Sequence, residues 1–204
     1  MTYNPRDHYF KKAKDNGFAA RSVFKLEEID QKFKILKPQQ RILDLGASPG
    51  SWSQYCSQKI GAGGRILGVD LKPVNVKLTN ATFIQADLRD LQLEDIFKEH
   101  GFLPPFDLVI SDMAPNTTGI RGTDQARSFD LCELALSISR RFLKKNGHFV
   151  CKLFHSDDFT VLRDQIKLDF DQFHAVKPDS TRKISKEIFL VGLKKKNDPD
   201  CLSK

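Results

Sequence analysis

The stretch from Arg41 to Trp52 reads RILDLGASPGSW, and it decides the fold class. Its apolar residues Ile42, Leu43 and Leu45 indicate a short strand that is buried on both faces, as in a parallel sheet. A glycine-containing turn follows this strand and leads into a helical pattern. A strand, a glycine turn and a helix N-terminus together form a common binding site for a nucleotide-like ligand.

The spacing of the turn narrows the choice of ligand. Gly46 and Gly50 flank the turn, and residues 51–59 are predicted to form the helix. The pattern is neither the G-x-G-x-x-G of dinucleotide binders nor the G-x-x-x-x-G-K-[ST] of phosphate-binding loops. Asp44 precedes the first glycine, and an acid there suits a ligand that carries positive charge. The sulfonium and ammonium groups of S-adenosylmethionine (SAM) are one such pair of charges.

Composition restricts the protein to a few classes. A chain of 204 residues with 40% hydrophobic content fits one compact domain. The four cysteines are scattered without a C-x-x-C pair and the five histidines lack metal-ligand spacing, so neither disulfides nor a metal site is expected. The N-terminus is polar and basic rather than a signal peptide, and no apolar run is long enough to cross a membrane. We therefore expect a cytoplasmic protein with no membrane association.

Positive charge is concentrated at the two ends of the chain. Residues 1–41 hold ten Lys/Arg and five Asp/Glu, and residues 177–204 hold eight and four. The middle holds fifteen and seventeen, so it is nearly neutral. Solvated basic tails would explain this pattern. A phosphate-binding surface formed where the two ends meet is the alternative, and we favour it because both ends carry ordered-looking segments.

Hydrophobic periodicity predicts three regions along the chain. These are a flexible basic segment over residues 1–20, a single domain over 21–194 and a basic tail over 195–204. The domain opens with a helix from Arg21, with Ser22 as its N-cap, and Lys37-Pro38 ends that helix. Further helices are predicted at 51–59, 90–99, 125–144 and 157–168. Strands are predicted at 41–45, 65–70, 82–86, 106–111, 147–153, 170–176 and 187–193.

This order of elements predicts an α/β fold. Strands that alternate with helices form right-handed crossovers and a mostly parallel sheet, with helices on both faces. The last two strands have no helix between them, so they should pair antiparallel at one edge. The expected architecture is a Rossmann-like, seven-stranded sheet with one antiparallel edge strand.

Charged residues follow several of the predicted strands at the edge where ligands bind in such sheets. Asp70 is placed to accept hydrogen bonds from ribose hydroxyls, or it caps the next loop. Asp87 could accept from an adenine amino group, or it is the N-cap of a helix near Asp90. Trp52 either packs on the ligand or fixes its helix to the sheet. The full set at the strand ends is Asp44, Gly46, Asp70, Asp87, Asp112 and Lys152.

Lys152 is the most unusual of these residues because it interrupts an apolar run, FVCKLF. A buried amine is costly unless it is paired. Asp112, after the neighbouring strand, offers a partner, although Lys152 could instead extend to the strand edge. Lys25 and Glu187 would each be an ordinary exposed charge if considered alone.

Taken together, these motifs resemble the FtsJ-like ribosomal RNA large subunit methyltransferase E family. The resemblance runs from about Tyr9 to Leu193, with small departures at Ser48 and Ser51 and in the segment CKLF, where VKVF is usual. The matching segments are RSVFKLEEI, LDLGASPGSWSQY, SDMAPNTTG, CKLF and KPDSTRKISKEIFLV.

The resemblance implies a SAM-dependent methyltransferase fold and a 2′-O-ribose methyltransferase activity. It implies a catalytic tetrad of Lys25, Asp112, Lys152 and Glu187. It also implies SAM contacts from Gly50, Trp52, Asp70, Asp87 and Asp112, to which the glycine turn adds Gly46. No metal is required, because SAM brings its own leaving group.

The resemblance also implies a substrate. It favours a uridine in the A-loop of 23S ribosomal RNA within the assembled large subunit, methylated by a monomer. The same chemistry on tRNA or an RNA cap is an alternative that these motifs do not separate. A catalytically silent RNA-binding assembly factor is a third possibility, and the intact tetrad argues against it.

Overall fold

A computed structural model describes residues 5–89, 92–182 and 184–197, which form six helices and seven strands. The helices are α1 (Pro5–Asp15), α2 (Val23–Phe33), α3 (Ser51–Ile60), α4 (Leu93–Glu99), α5 (Arg121–Phe142) and α6 (Phe159–Asp169). The strands are β1 (Arg41–Leu45), β2 (Arg65–Asp70), β3 (Ala81–Gln85), β4 (Phe106–Ser111), β5 (Leu143–Phe154), β6 (Phe170–Val176) and β7 (Glu187–Lys195).

All seven strands join one sheet in the order β3-β2-β1-β4-β5-β7-β6. The pairs from β3 to β5 are parallel, which confirms the predicted α/β sheet. β7 is antiparallel to both β5 and β6. The single antiparallel strand therefore lies one position in from the edge, because β7 enters between its two neighbours and leaves β6 outermost.

Two apolar layers cover the two faces of this sheet. One layer packs α4, α5 and α6 on the sheet and is rich in phenylalanine, with the Phe97 ring 5.0 Å from that of Phe142. The other layer packs α2 and α3 on the opposite face, where Leu26 and Ile29 are fully buried. The sheet is thus a central layer between helices, so a ligand can reach it only at its edges and at the loops.

Several predicted boundaries differ from the structure by a few residues. β5 begins at Leu143 rather than 147, where a register irregularity against β4 extends the pairing. α2 ends at Phe33, before Pro38, because Lys34 adopts a left-handed conformation. α4 begins at Leu93, and residues 90 and 91 of the predicted helix lie outside the described residues.

The segment predicted to be flexible contains helix α1. Ala13 of this helix is buried, and the Tyr9 ring lies 5.4 Å from the ring of Phe24 on α2. Tyr9 and Ala13 are four residues apart, so they share one helical face that the sequence reading did not recognise. Residues 1–4, and 198–204 of the predicted tail, lie outside the described part, and β7 itself extends to Lys195.

No helix in the described part of the chain is long and apolar enough to cross a bilayer. Cys56, Cys132 and Cys151 are buried free thiols.

Helix α2 is fixed to α3 by polar contacts at both of its ends. At the start, Ser22 occupies the N-cap position, but its hydroxyl lies 2.9 Å from that of Ser51 instead of capping the helix. The Trp52 indole N–H donates to the Ser22 carbonyl at 2.9 Å. At the end, Asp30 accepts from the Leu36 N–H at 2.9 Å and from the Tyr55 hydroxyl at 3.0 Å. These contacts determine where the side chains of α2 point.

We expect Tyr55→Phe to destabilise the protein by about 1–3 kcal/mol, because it leaves a buried Asp30 oxygen without its donor. Urea unfolding of the two proteins measures this difference. Tyr55 itself remains a neutral donor, since burial and the neighbouring Asp30 raise its pKa well above the usual range. An unchanged unfolding midpoint would show that the contact between α2 and α3 does not depend on this hydrogen bond.

Candidate active site

Lys152 and Asp112 form a buried ion pair at the carboxyl edge of the sheet. The Lys152 Nζ donates to Asp112 Oδ1 at 2.9 Å and to the Asp112 backbone carbonyl at 2.6 Å. The Lys152 side chain is 7% exposed, so it does not extend to solvent at the strand edge. Cys132 on α5 donates to the Lys152 carbonyl at 2.8 Å and fixes the backbone beneath it.

A second ion pair joins α2 to the first residue of β7. The Lys25 Nζ lies 2.6 Å from Glu187 Oε1, and both side chains are largely buried. The same Nζ lies 5.8 Å from the centre of the Phe189 ring, a cation–π distance. Lys25 therefore projects from its helix onto the sheet rather than into solvent.

The register of β5 and β7 places the two ion pairs side by side. Lys152 is directly opposite Phe189, and Glu187 is two residues from Phe189 on the same face of β7. Diagonal neighbours of this kind lie about 7–8 Å apart along a sheet. The structure therefore brings all four charged side chains together, and their catalytic roles remain a prediction.

The glycine turn beside these pairs leaves no room for larger residues. Gly46 has φ +79°, and a Cβ there would lie 2.5 Å from Met113 Cγ in the loop after Asp112. Gly50 has φ +110°, and a Cβ there would collide with Val76. Both positions combine a left-handed backbone with close approach, so only glycine fits without strain. The turn thus packs tightly against the loops that follow β2 and β4.

Asp70, at the end of β2, holds the same turn from the other side. One carboxylate oxygen accepts from the Ser48 N–H at 2.9 Å, and the other accepts from the Lys72 N–H at 2.8 Å. The loop-capping interpretation of Asp70 is therefore confirmed. Each oxygen keeps a second lone pair. The cap consequently leaves Asp70 able to accept from a ligand.

Asp87, after β3, does not cap a helix. α4 begins at Leu93 with Gln92 at its N-cap, whereas Asp87 accepts from the Arg89 N–H at 2.9 Å within a turn. The N-cap interpretation is therefore wrong, because α4 starts later than expected.

Trp52 fixes α3 to the sheet, as one of its two interpretations proposes. Its side chain is buried, its ring lies 5.7 Å from that of Phe189, and its indole N–H is already used by Ser22. The backbone N–H of Trp52 lies in the first turn of α3, where helices leave N–H groups without intrahelical partners. A ligand contact from this residue would therefore use the backbone and not the ring.

Asp44 is not at the surface of the site, which corrects the expectation that it faces the ligand. It belongs to β1, is fully buried, and accepts from the Ser53 hydroxyl on α3 at 2.6 Å. Burial raises its pKa to about 7, against the opposing effect of the Ser53 hydrogen bond and with smaller contributions from Asp112 and Asp70. The pattern of charges at strand ends could not distinguish this in-strand acid from those beyond the strand.

The sequence of the chain is similar to those of known proteins. The family model for FtsJ-like methyltransferases matches residues 18–195. The chain belongs to the FtsJ-like methyltransferase family. A "Ribosomal RNA large subunit methyltransferase E" of Bdellovibrio bacteriovorus is 78% identical over 96% of this chain and 100% of its own length. The protein of the same name from Syntrophobacter fumaroxidans is 48% identical, and the match covers 95% of this chain and 98% of that protein.

Solved structures share the fold. A crystal structure described as a ribosomal RNA methyltransferase of Plasmodium falciparum has a TM-score of 0.75 and 26% identity, and the match covers 87% of this chain and 98% of that one. Fibrillarin of Aeropyrum pernix, solved with bound S-adenosyl-L-methionine, has a TM-score of 0.58 and 18% identity. The match covers 78% of this chain and 68% of fibrillarin. The latter likeness concerns the fold alone.

Sequence reasoning missed one residue that shapes the site of this FtsJ-like methyltransferase. Asp124, in the first turn of α5, accepts from the Thr118 N–H at 2.7 Å, from the Thr118 hydroxyl at 2.9 Å and from the Gly119 N–H at 3.2 Å. These hydrogen bonds lower its pKa. They fix the loop that begins at Met113, which covers Gly46. An acid shortly after a Thr-Gly pair at a helix start is the signal that identifies such a cap.

The basic ends of the chain also meet, as the phosphate-surface interpretation requires. Arg21, before α2, donates to the Ser180 carbonyl at 2.6 Å, and Glu28 on α2 accepts from the Asp179 and Ser180 N–H groups at 2.5 and 2.9 Å. Arg21 and Ser180 are 159 residues apart in the sequence, and Glu28 and Asp179 are 151 apart. These two segments nevertheless lie against each other beside the Lys25–Glu187 pair.

We expect Asp44→Asn to remove a pH dependence of stability. The folded pKa of about 7 exceeds the ordinary value, so the folded state retains a proton that the unfolded state loses first. The retained proton on Asp44 stabilises the folded state fully below pH 4. This stabilisation is lost as the pH rises from 4 to 7, and no further change is expected above pH 7. At pH 8 the variant should be more stable than the parent by up to about 4 kcal/mol, and at pH 4 nearly equal to it.

Urea unfolding at pH 4, 6 and 8 measures the effect of Asp44→Asn. Asp171→Asn, at an exposed position on β6, serves as the control and should leave the pH profile unchanged. Parallel profiles for Asp44→Asn and the parent would show that Asp44 is ionised throughout this range.

Proposed function

We propose that the protein transfers the methyl group of SAM to the 2′-hydroxyl of a uridine in the A-loop of large-subunit ribosomal RNA. The observation that carries this proposal is the convergence of two buried Lys–carboxylate pairs beside a glycine turn. Membership of a family whose relatives are named ribosomal RNA large subunit methyltransferase E supports the ribosomal substrate. The basic ends that meet beside the tetrad support a nucleic-acid substrate.

The glycine turn and the ends of β2 and β3 fit SAM. The left-handed glycines Gly46 and Gly50 turn the backbone from β1 into α3, so a ligand at this turn would meet the N-terminus of α3 and its N–H groups. Asp70 would accept hydrogen bonds from the ribose hydroxyls, and Asp87 from the adenine amino group. Asp112 would lie closest to the positive charge. When bound, SAM supplies an electrophilic methyl carbon and a thioether leaving group.

The tetrad would hold the RNA ribose for attack. The 2′-oxygen would gain the methyl group in place of its proton, and that proton would pass to Lys152 or to solvent. Lys152 would position the oxygen as an ammonium or accept its proton as a neutral amine. Asp112 would orient Lys152 by accepting two hydrogen bonds from it, and Glu187 would orient Lys25 through one ion-pair contact. Alignment of oxygen, carbon and sulfur would supply much of the rate.

Transfer of labelled methyl groups to undermethylated large subunits tests this function. Free ribosomal RNA, tRNA and capped RNA are the comparison substrates. We expect label in the large subunit only, in a nucleotide whose 3′ linkage resists alkali as a 2′-O-methylated ribose does. Label in tRNA or a cap would shift the assignment to those substrates. An absence of transfer to all four substrates would favour the silent assembly factor.

We expect Lys152→Met to lower turnover about 10³-fold while SAM affinity stays nearly unchanged, because Lys152 acts on the ribose oxygen. Single-turnover methyl transfer and calorimetric SAM titration measure the two quantities. Lys98→Met is the matched control, since Lys98 is an exposed lysine on α4. Near-normal turnover of Lys152→Met would refute the role of Lys152.

We expect Asp70→Asn to weaken SAM binding about tenfold, because an amide offers one acceptor where the carboxylate offers two. RNA affinity should not change. Asp95→Asn on α4 serves as a control for loss of a surface charge. Equal SAM affinity of parent and Asp70→Asn would remove Asp70 from the proposed SAM site.

A further inference from the structure

A cluster of polar groups lies next to the tetrad without a part in the chemistry above. It is formed by Arg21 and by the first residues of the loop between β6 and β7, and we call Arg21, Ser180, Thr181 and Arg182 the arginine–hydroxyl cluster. The loop is fixed in place by Glu28, whose two carboxylate oxygens accept from backbone N–H groups of the loop. The cluster is therefore a built feature of the fold.

Three atoms of this cluster are buried without a hydrogen-bond partner. They are Arg21 Nη1, Ser180 Oγ and Thr181 Oγ1. In the described part of the chain, five buried side-chain nitrogen or oxygen atoms lack a hydrogen-bond partner, and three of the five belong to this cluster. Folded proteins seldom leave such groups unsatisfied, because each loses its hydrogen bonds to water without replacement. Their concentration in one place gives the cluster unused hydrogen-bonding capacity that a polar ligand could fill.

The charge of the cluster indicates the sign of that ligand. Burial lowers the pKa of Arg21, the positive charge of Arg182 lowers it further, and Glu187 opposes both. Glu187 is already paired with Lys25, and Glu28 is used by the loop backbone. The carboxylates of Glu187 and Glu28 are thus engaged elsewhere, while Arg21 Nη1 is buried without a hydrogen-bond partner. An anion would relieve both the repulsion and the missing hydrogen bonds.

We propose that the arginine–hydroxyl cluster binds one backbone phosphate of the RNA strand next to the nucleotide that is methylated. A guanidinium offers parallel N–H donors that match two phosphate oxygens, and the two hydroxyls add further donors. The phosphate belongs to RNA rather than to a small anion because the Lys25–Glu187 pair of the ribose site is adjacent. This assignment rests on the proposed function, in which RNA is the substrate.

The enclosed atoms determine how the phosphate enters. Arg182 is exposed and makes the first contact, whereas Ser180 and Thr181 are buried. The Glu28 hydrogen bonds would keep the loop backbone in place, so the side chains of Arg21, Ser180 and Thr181 would turn toward the phosphate. Binding of the phosphate gives the three unpartnered atoms charge-assisted hydrogen bonds. The cluster thereby fixes the position of the RNA strand relative to the ribose site.

The first test uses Arg182→Gln, which changes an exposed residue and should not affect folding. Equilibrium binding to undermethylated large subunits is measured across a salt series, separately from methyl transfer. We expect affinity to fall about tenfold and the slope of log K against log salt to become shallower by about 0.7, the value for one phosphate contact on a single strand. SAM affinity should stay the same.

Arg141→Gln is the matched control for this test. Arg141 is an exposed arginine at the end of α5, near the opposite edge of the sheet. It should leave both the affinity for subunits and the salt slope unchanged. Equal losses for Arg141→Gln and Arg182→Gln would reduce the effect to general surface charge and overturn the proposal.

The second test uses Thr181→Val, which replaces the unpartnered hydroxyl with a methyl group of similar volume. The unbound variant should melt about 2–4 °C higher, because an unsatisfied buried hydroxyl is gone. Its affinity for subunits should nevertheless fall several-fold. Thr181→Ser keeps a hydroxyl and should restore binding. A hydroxyl with a purely structural role would instead give a lower melting temperature and unchanged binding.

These outcomes separate this proposal from the proposed function. If the parent transfers no methyl group but Arg182→Gln still weakens binding of subunits, the phosphate site stands and the function fails. If the parent methylates subunits and both variants bind them normally, the function stands and the phosphate site fails. If inorganic phosphate at constant ionic strength raises the parent's melting temperature while subunit binding is unaffected by the variants, the cluster binds a free anion and the proposal is overturned.

Discussion

The antiparallel pairing of β5 with β7 decides where the charged groups of this protein meet. Lys152 opposes Phe189, so Glu187 falls diagonally beside it on the same face. A slip of one residue would turn Glu187 to the opposite face of the sheet and separate the two ion pairs. β7 is apolar on both faces, so such a slip would move Phe189 and Val191 out of the layer under α2 and α3 and put Leu190 in their place, which would disturb the packing of both layers. The register that fills the core thus also assembles the tetrad.

Two adjacent buried ion pairs contribute little to stability. Removing a charge from water costs several kcal/mol, and the attraction within a pair repays this cost only when further hydrogen bonds are made. Lys152 makes two such bonds to Asp112, whereas the Lys25–Glu187 pair depends on one short contact and the Phe189 ring. Apolar residues at these positions would serve stability as well or better, so the two pairs support the catalytic role proposed for them.

The sequence was sufficient to predict what local patterns determine. Apolar runs and the glycine turn predicted the strands and the parallel sheet, and the strand-end rule placed Asp70 and Asp112 at the correct edge. The sequence does not show which way an in-strand side chain points, which is why the pattern suggests a ligand contact for Asp44, whereas its carboxylate accepts from Ser53 in the core. Contacts between distant segments were also beyond reach, since nothing near Arg21 indicates that Ser180, 159 residues later, accepts its hydrogen bond.

Asp112 connects the two halves of the site. On one side it follows β4, and Met113 after it packs against Gly46 of the glycine turn. On the other side its carbonyl and carboxylate both accept from Lys152. Asp124 fixes the loop between them through Thr118. Because one backbone position carries both contacts, a shift of the glycine turn would move the Lys152 amine as well. A ligand in the turn would therefore align the tetrad as well as occupy its own site.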